Sequence, residues 1–125
     1  MLRTILIVDD EQSIRKLIRA VLNRSVDAVF LEASDGTDAL KTAREHGGNI
    51  DLLVSDVVMP GKINGFEMAA QLNHERPEMK IVLMSGYSGE EVAMEPNWHF
   101  IKKPFAVSEI REKIGSILTD NSFVA

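Results

Sequence analysis

Apolar residues in this chain fall into two rhythms. Four runs are short and continuous: Ile5-Leu6-Ile7-Val8, Leu52-Leu53-Val54, Ile81-Val82-Leu83-Met84 and Phe100-Ile101. Continuity without alternation is the pattern of strands buried on both faces. Ala28 to Ala33 (AVFLEA) reads as a further strand. Between these segments the spacing becomes helical. Within Glu11 to Arg24, Ile14, Leu17, Ile18, Val21 and Leu22 recur on one face. A helix near Thr37 to Glu45 follows the second strand, and another over Asn64 to Glu75 starts after a Pro60-Gly61 turn and ends before Pro77. A last helix, Val107 to Leu118, places Val107, Ile110, Ile114, Ile117 and Leu118 on one face.

Strands alternating with helices predict βα units with right-handed crossovers. The expected class is therefore α/β, a doubly wound five-stranded parallel sheet with five helices on its two faces. One crossover is anomalous. Only Gly86 to Asn97 separates Ser85 from Trp98, near the minimum for a parallel connection, and it contains two glycines and Pro96. Its best helical piece, Ser88 to Met94, supports about two turns. A short or distorted fourth helix is expected there.

At 125 residues the chain has the length of one ordinary domain. We expect a single domain over 1–120, with Asn121 to Ala125 as a tail. A net charge of -5 without a basic stripe argues against direct nucleic-acid binding. Zero cysteines exclude disulfides and thiolate chemistry, and are compatible with a cytoplasmic location. No apolar run approaches a signal h-region or a membrane span, so a soluble, unprocessed chain is expected.

Candidate chemistry lies where the apolar runs stop. The first stops on Asp9-Asp10, the second, after Ser55, on Asp56, the third on Ser85, and the fourth on Lys102-Lys103-Pro104. The carboxyl ends of parallel strands share one edge, so these groups converge. Each alone has an ordinary explanation: an Asp after a strand is commonly a helix N-cap, and Ser85-Gly86 and Lys-Pro suit plain turns. Together, in order, they describe a site. Three clustered carboxylates need a cation or a proton, and an all-oxygen donor set suits Mg²⁺. With a phosphoryl group present, Lys103 would neutralise charge and the Ser85 hydroxyl would hydrogen-bond an oxygen. A carboxylate can itself be the nucleophile, forming an aspartyl phosphate. Asp56 stands alone on the central strand, which makes it the candidate acceptor, with Asp9 and Asp10 as metal holders.

These pieces resemble the receiver domain of two-component response regulators, and the resemblance spans essentially the whole chain. It is carried by ILIVDDE at Ile5 to Glu11, SDVVMPG at Ser55 to Gly61, NGFE at Asn64 to Glu67, MSGY at Met84 to Tyr87 and KKPF at Lys102 to Phe105. The resemblance implies a flavodoxin-like sheet of order 2-1-3-4-5. It implies that Asp56 takes a phosphoryl group from a phosphohistidine of a sensor histidine kinase or a histidine phosphotransfer protein. By the same match Asp10 and Asp56 bind Mg²⁺ directly with the Val58 carbonyl, while Asp9 acts through water. Lys103 is the family's lysine, preceding a commonly cis proline bond, and Lys102 faces solvent. Ser85 and Phe100 are the switch residues, and a downstream protein partner is unidentified.

Several positions depart from the pattern. Phe100 stands where tyrosine is common, so any inward swing rests on packing alone, and the alternative is a core aromatic that never moves. Val58 and Tyr87, two residues after Asp56 and Ser85, flank the phosphoryl group without a carboxylate or amide to position water, which predicts a long-lived aspartyl phosphate. The loop Pro60 to Gly65 carries one residue more than the commonest form and, with MSGY and KPF, is similar to receivers of hybrid histidine kinases as well as stand-alone ones. No output domain follows, so the chain would act by binding a partner, as a relay, or as part of a longer protein. His46, His74 and His99 share no ligand spacing, and the six methionines read as core filler. Arg15, Lys16 and Arg19 are expected to form a solvated face; in the implied fold they border the crevice, with partner docking as the minority reading. Two other classes compete: a receiver-like binding scaffold that never carries phosphate, and a Mg²⁺-dependent aspartyl-phosphate phosphatase. The intact Asp9, Asp10, Asp56, Ser85 and Lys103 argue against the first. Val58, standing where such a phosphatase commonly has a second Asp, argues against the second.

Overall fold

The apolar runs become the centre of one parallel sheet. A computed structural model describes residues 2–86 and 98–119. Its strands are β1 (Arg3–Val8), β2 (Ala28–Ala33), β3 (Leu52–Asp56), β4 (Lys80–Ser85) and β5 (Trp98–Lys102). The helices among the described residues are α1 (Gln12–Asn23), α2 (Gly36–Glu45), α3 (Gly65–Glu75) and α4 (Val107–Thr119). All four strand pairs are parallel, in the flavodoxin-like order β2-β1-β3-β4-β5. The expected extra helix over Ser88 to Met94, Tyr87 and the tail from Asn121 lie outside the described residues.

Period-two alternation divides the sheet between two cores. Leu6, Val8, Leu53, Ile81 and Leu83 pack towards α2 and α3, joined by Met68, Leu72 and Trp98. Ile5, Ile7, Leu52, Val54, Val82 and Met84 pack towards α1 and α4, joined by Ile18, Leu22, Ile110 and Ile114. Every residue of β3 is buried, which is why its sequence carries no alternation. Met59, Met68, Met79 and Met84 are buried as core filler.

Two positions assigned to helix core faces are instead exposed. Leu17 is 38% accessible because it lies about 100° around α1 from Ile18 and off the buried stripe. Val107 is 42% accessible as the first residue of α4, one turn ahead of buried Ile110. Two helix starts follow local chemistry. Asp35 caps α2 by accepting from the Asp38 N–H at 2.7 Å. Asn64 and Glu67 form a reciprocal capping box on α3. At the other end of α2, the Arg76 guanidinium donates to the carbonyls of Ala43, His46 and Gly48. Pro60-Gly61 makes the anticipated turn, with Gly61 at φ +109°. No helix among the described residues is long and apolar enough to cross a membrane.

The contact that matters most for the sheet edge is made by Gly65. The start of α3 presses onto the end of β3, where the Gly65 N–H donates to the Val57 carbonyl at 2.8 Å. A Cβ at Gly65 would overlap the Asp56 carbonyl oxygen and come within 2.9 Å of the Val57 Cα. Both obstacles are backbone and cannot rotate away. Gly65→Ala is therefore expected to cost roughly 1–3 kcal/mol or somewhat more, as overpacking does, read as a lower urea midpoint at unchanged m-value. An unchanged midpoint would show that the helix is free to slide away from β3.

Candidate functional site

The ladder registers bring the carboxyl ends of β1, β3, β4 and β5 to one edge. Val8 pairs with Ser55, Asp56 with Met84, and Ser85 with Lys102. Backbone bonds carry this order one residue beyond the strands: Asp9 N–H to the Ala33 carbonyl at 3.2 Å, Val57 N–H to that of Met84 at 2.9 Å, and Lys103 N–H to that of Ser85 at 2.8 Å. The polar residues that follow each apolar run are thereby delivered to one place.

Asp9 and Asp56 are buried, whereas Asp10 is exposed. One carboxylate oxygen from each of the three lies within 4.8 Å of the others. Lys103 Nζ bridges two of them, at 3.2 Å from Asp9 Oδ2 and 3.3 Å from Asp56 Oδ2. The other Asp9 oxygen accepts the Glu11 N–H at 2.9 Å. Ser85 is buried at the end of β4. Val58 is 55% exposed beside the acceptor strand, and Lys102, the last residue of β5, is exposed. Phe100 is half-buried and packs against the α2–α3 core. The Lys103-Pro104 peptide is cis.

Charge at this edge does not balance. Among the described residues, three carboxylates face one lysine, leaving a formal excess of two negative charges on an all-oxygen donor set. That donor set fits a hard divalent cation such as Mg²⁺, which accepts few protein ligands and retains water. Burial pushes the Asp56 carboxyl above its usual range, and the negative charge of Asp9 pushes the same way; Lys103 and the Val58 N–H offset this only in part. For Lys103, burial alone would lower the pKa, but the attraction of Asp56 and Asp9 outweighs it and the ammonium is held more firmly than usual.

One expectation about the rim is corrected. Arg15 is not part of a solvated face: its side chain is 15% exposed, bonded through Nε to Glu32 Oε1 at 3.1 Å and through Nη1 to the Asp9 carbonyl at 2.7 Å. Arg19 is half-exposed, pairs with Glu32 at 3.0 Å and lies over the Phe30 ring. Sequence reasoning missed Arg15, Glu32 and Gly65 here. The available signals were Gly65 immediately after an N-cap residue, and a glutamate in the otherwise apolar AVFLEA strand.

Comparisons with known proteins agree with this fold. Residues 5–115 match the response regulator receiver domain family. The chain is 32% identical over 120 residues to the sensor kinase CckA of Brucella abortus, covering 92% of this chain and 12% of that protein. It is 33% identical over 132 residues to the transcriptional regulatory protein PhoP of Bacillus subtilis, covering all of this chain and 52% of PhoP. The chain thus spans between about a tenth and a half of the length of these relatives. Among solved structures, the receiver domain of the hybrid histidine kinase CckA superposes with a TM-score of 0.78 at 33% identity, covering 93% of this chain and 99% of that one. TrrA of Thermotoga maritima, solved in complex with Mg²⁺-BeF, superposes with a TM-score of 0.75 at 30% identity, covering 93% and 99%.

The raised Asp56 pKa has a consequence for stability. The folded protein holds this proton more tightly than the unfolded chain does. Stability therefore falls as pH rises from the ordinary Asp pKa, about 3.9, through the raised folded value. At neutral pH, with divalent cations chelated, Asp56→Asn is expected to melt at a higher temperature than the parent chain. The difference should close as the pH approaches the ordinary carboxylate range. Thermal melts across pH in EDTA check this, and a variant less stable than the parent at pH 7 would contradict it.

Proposed function

The chain belongs to the response regulator receiver domain family, and on that premise we propose that it accepts a phosphoryl group on Asp56 from a phosphohistidine and changes surface in response. The observation that carries this reading is the bridge from Lys103 to Asp56 and Asp9 beside Asp10, at the shared edge of the sheet. The donor is a sensor histidine kinase or a histidine phosphotransfer protein, by similarity to the receivers of sensor kinases. The kinase and transcriptional activities of the longer relatives are not carried over. The functional unit is residues 1–120, acting in the cytoplasm without direct contact to nucleic acid or membrane.

In the transfer, an Asp56 carboxylate oxygen attacks phosphorus in line with the phosphohistidine nitrogen. The P–O bond forms as the P–N bond breaks, and the electron pair returns to the imidazole, which gains a proton. Asp9, Asp10, Asp56 and the Val58 carbonyl are the groups that would hold Mg²⁺. When bound, it supplies positive charge for the phosphoryl oxygens. Lys103 releases its bridge to Asp56 and turns its ammonium towards the incoming phosphoryl oxygens, opposing the charge that gathers there. The product carries about -1.5 to -2 charge, by analogy with other phosphorylated side chains. Ser85, buried at the neighbouring strand end, bonds a phosphoryl oxygen, and Phe100, half-buried against the α2–α3 core, repacks with it.

The direct test is incubation with a small phosphodonor and Mg²⁺, followed by intact mass. A gain of one phosphoryl group is expected. It should vanish in Asp56→Ala and fall by about 10²-fold in rate in Lys103→Met, the scale on which a single charge-stabilising donor acts. A chain that never gains mass would be a binding scaffold instead.

Lifetime of the product is set by access of water. Val58 is exposed and apolar beside the acceptor, and Tyr87 stands two residues after Ser85. Neither supplies a carboxylate or amide to position a hydrolytic water. The phosphorylated form should therefore decay several-fold more slowly than that of Tyr87→Glu, followed by loss of the mass increment after donor removal. Equal decay rates would assign water control to other groups.

A further inference from the structure

Asp9 is buried, and each of its polar groups is committed: the N–H to the Ala33 carbonyl, one carboxylate oxygen to the Glu11 N–H, the other to Lys103, and the carbonyl to Arg15 Nη1. That carbonyl belongs to the peptide joining Asp9 to Asp10. Whatever holds it fixes the plane from which Asp10 projects. Asp10 is exposed, so the direction of its carboxylate comes from the backbone that carries it.

We propose that Arg15 is a positioning residue for the three-aspartate site, holding the Asp9–Asp10 peptide in the orientation that lets Asp10 and Asp56 share one cation. This rests on the metal-site reading given above. The guanidinium is itself anchored, because Nε donates to Glu32 Oε1 at 3.1 Å while Nη1 donates to the Asp9 carbonyl at 2.7 Å. Glu32 is held in turn by Arg19 at 3.0 Å. A planar fork with fixed donors serves two acceptors at once; an ammonium on a flexible stem serves one or the other. Without Arg15 the Asp9 carbonyl is left buried and without its donor, and the cheapest relief is rotation of the peptide, which carries Asp10 with it.

The sign of the effect separates positioning from simple electrostatics. Arg15 is a cation beside an acidic site. If only its charge mattered, removing it would tighten a divalent ion, and replacing it by lysine would change nothing. If it positions the peptide, both replacements weaken binding.

Mn²⁺, which takes the same oxygen donors as Mg²⁺, is the probe: free Mn²⁺ is followed by electron paramagnetic resonance as the folded, metal-free full chain is titrated. Arg15→Met, which keeps the aliphatic stem, is expected to weaken Mn²⁺ about tenfold, within the usual range for residues that support metal ligands. Arg15→Lys should weaken it by about threefold on the same grounds. Unchanged or tighter binding in both variants, with or without a loss of thermal stability, would overturn the proposal. If Arg15→Met does not fold, by circular dichroism, Arg15→Lys decides alone. Asp10→Asn serves as the control for the premise. Should the parent chain bind no Mn²⁺, or bind it equally in Asp10→Asn, the metal-site reading fails and the role of Arg15 fails with it.

Discussion

The sheet edge is organised by a charge imbalance that one side chain partly relieves. Two buried aspartates and one exposed aspartate are gathered with carboxylate oxygens within 4.8 Å of each other, and among the described residues Lys103 stands between two of them. A carboxylate placed in that position is costly when ionised, as the upward shift of Asp56 shows. A fold optimised for stability alone would not retain it. The ladder registers, the backbone bonds that run past the strand ends, and the close approach of Gly65 to β3 all serve to hold these groups in a place they would otherwise leave.

That arrangement ties the chemistry to the scaffold. β3 is buried along its whole length, so Asp56 enters from a rigid strand and not from a loop. Lys103 comes from the other side, fixed by its own N–H to the Ser85 carbonyl. Ser85 ends the strand that lies between the acceptor strand and the lysine strand: its neighbour Met84 pairs with Asp56, and Ser85 itself pairs with Lys102. Asp56 contacts Lys103 directly, and its ladder partner Met84 immediately precedes Ser85. Phe100, two residues before Ser85's partner Lys102, is packed on the core facing α2 and α3.

Most of the scaffold was legible because its signals are local. Continuous apolar runs placed β1, β3, β4 and β5, and AVFLEA marked β2 over the same residues that form it. Asn64 followed three residues later by Glu67 is a helix start that can be read without any fold. Where local reading failed, the cause was tertiary. Leu17 obeys helical spacing closely enough to look buried, yet only packing against the sheet decides which edge of the stripe is covered. Arg15 looked like one of three cations on a solvated helix face. Its partly buried position depends on Glu32 in β2 and on the Asp9 carbonyl, which no spacing rule connects to it.

The sequence by itself determined the kinds of element, the doubly wound parallel class, and which side chains stand at the strand ends. Each of these follows from residue periodicity and from the rule that parallel strands end together. Only the tertiary structure decided the distances: that Lys103 bridges Asp9 and Asp56, that Asp10 is exposed while its neighbour is buried, and that Gly65 leaves no room for a Cβ. Those quantities depend on register, on helix placement and on partners far apart in the chain. Periodicity specifies a face, but a charge's environment is set by everything that packs around it.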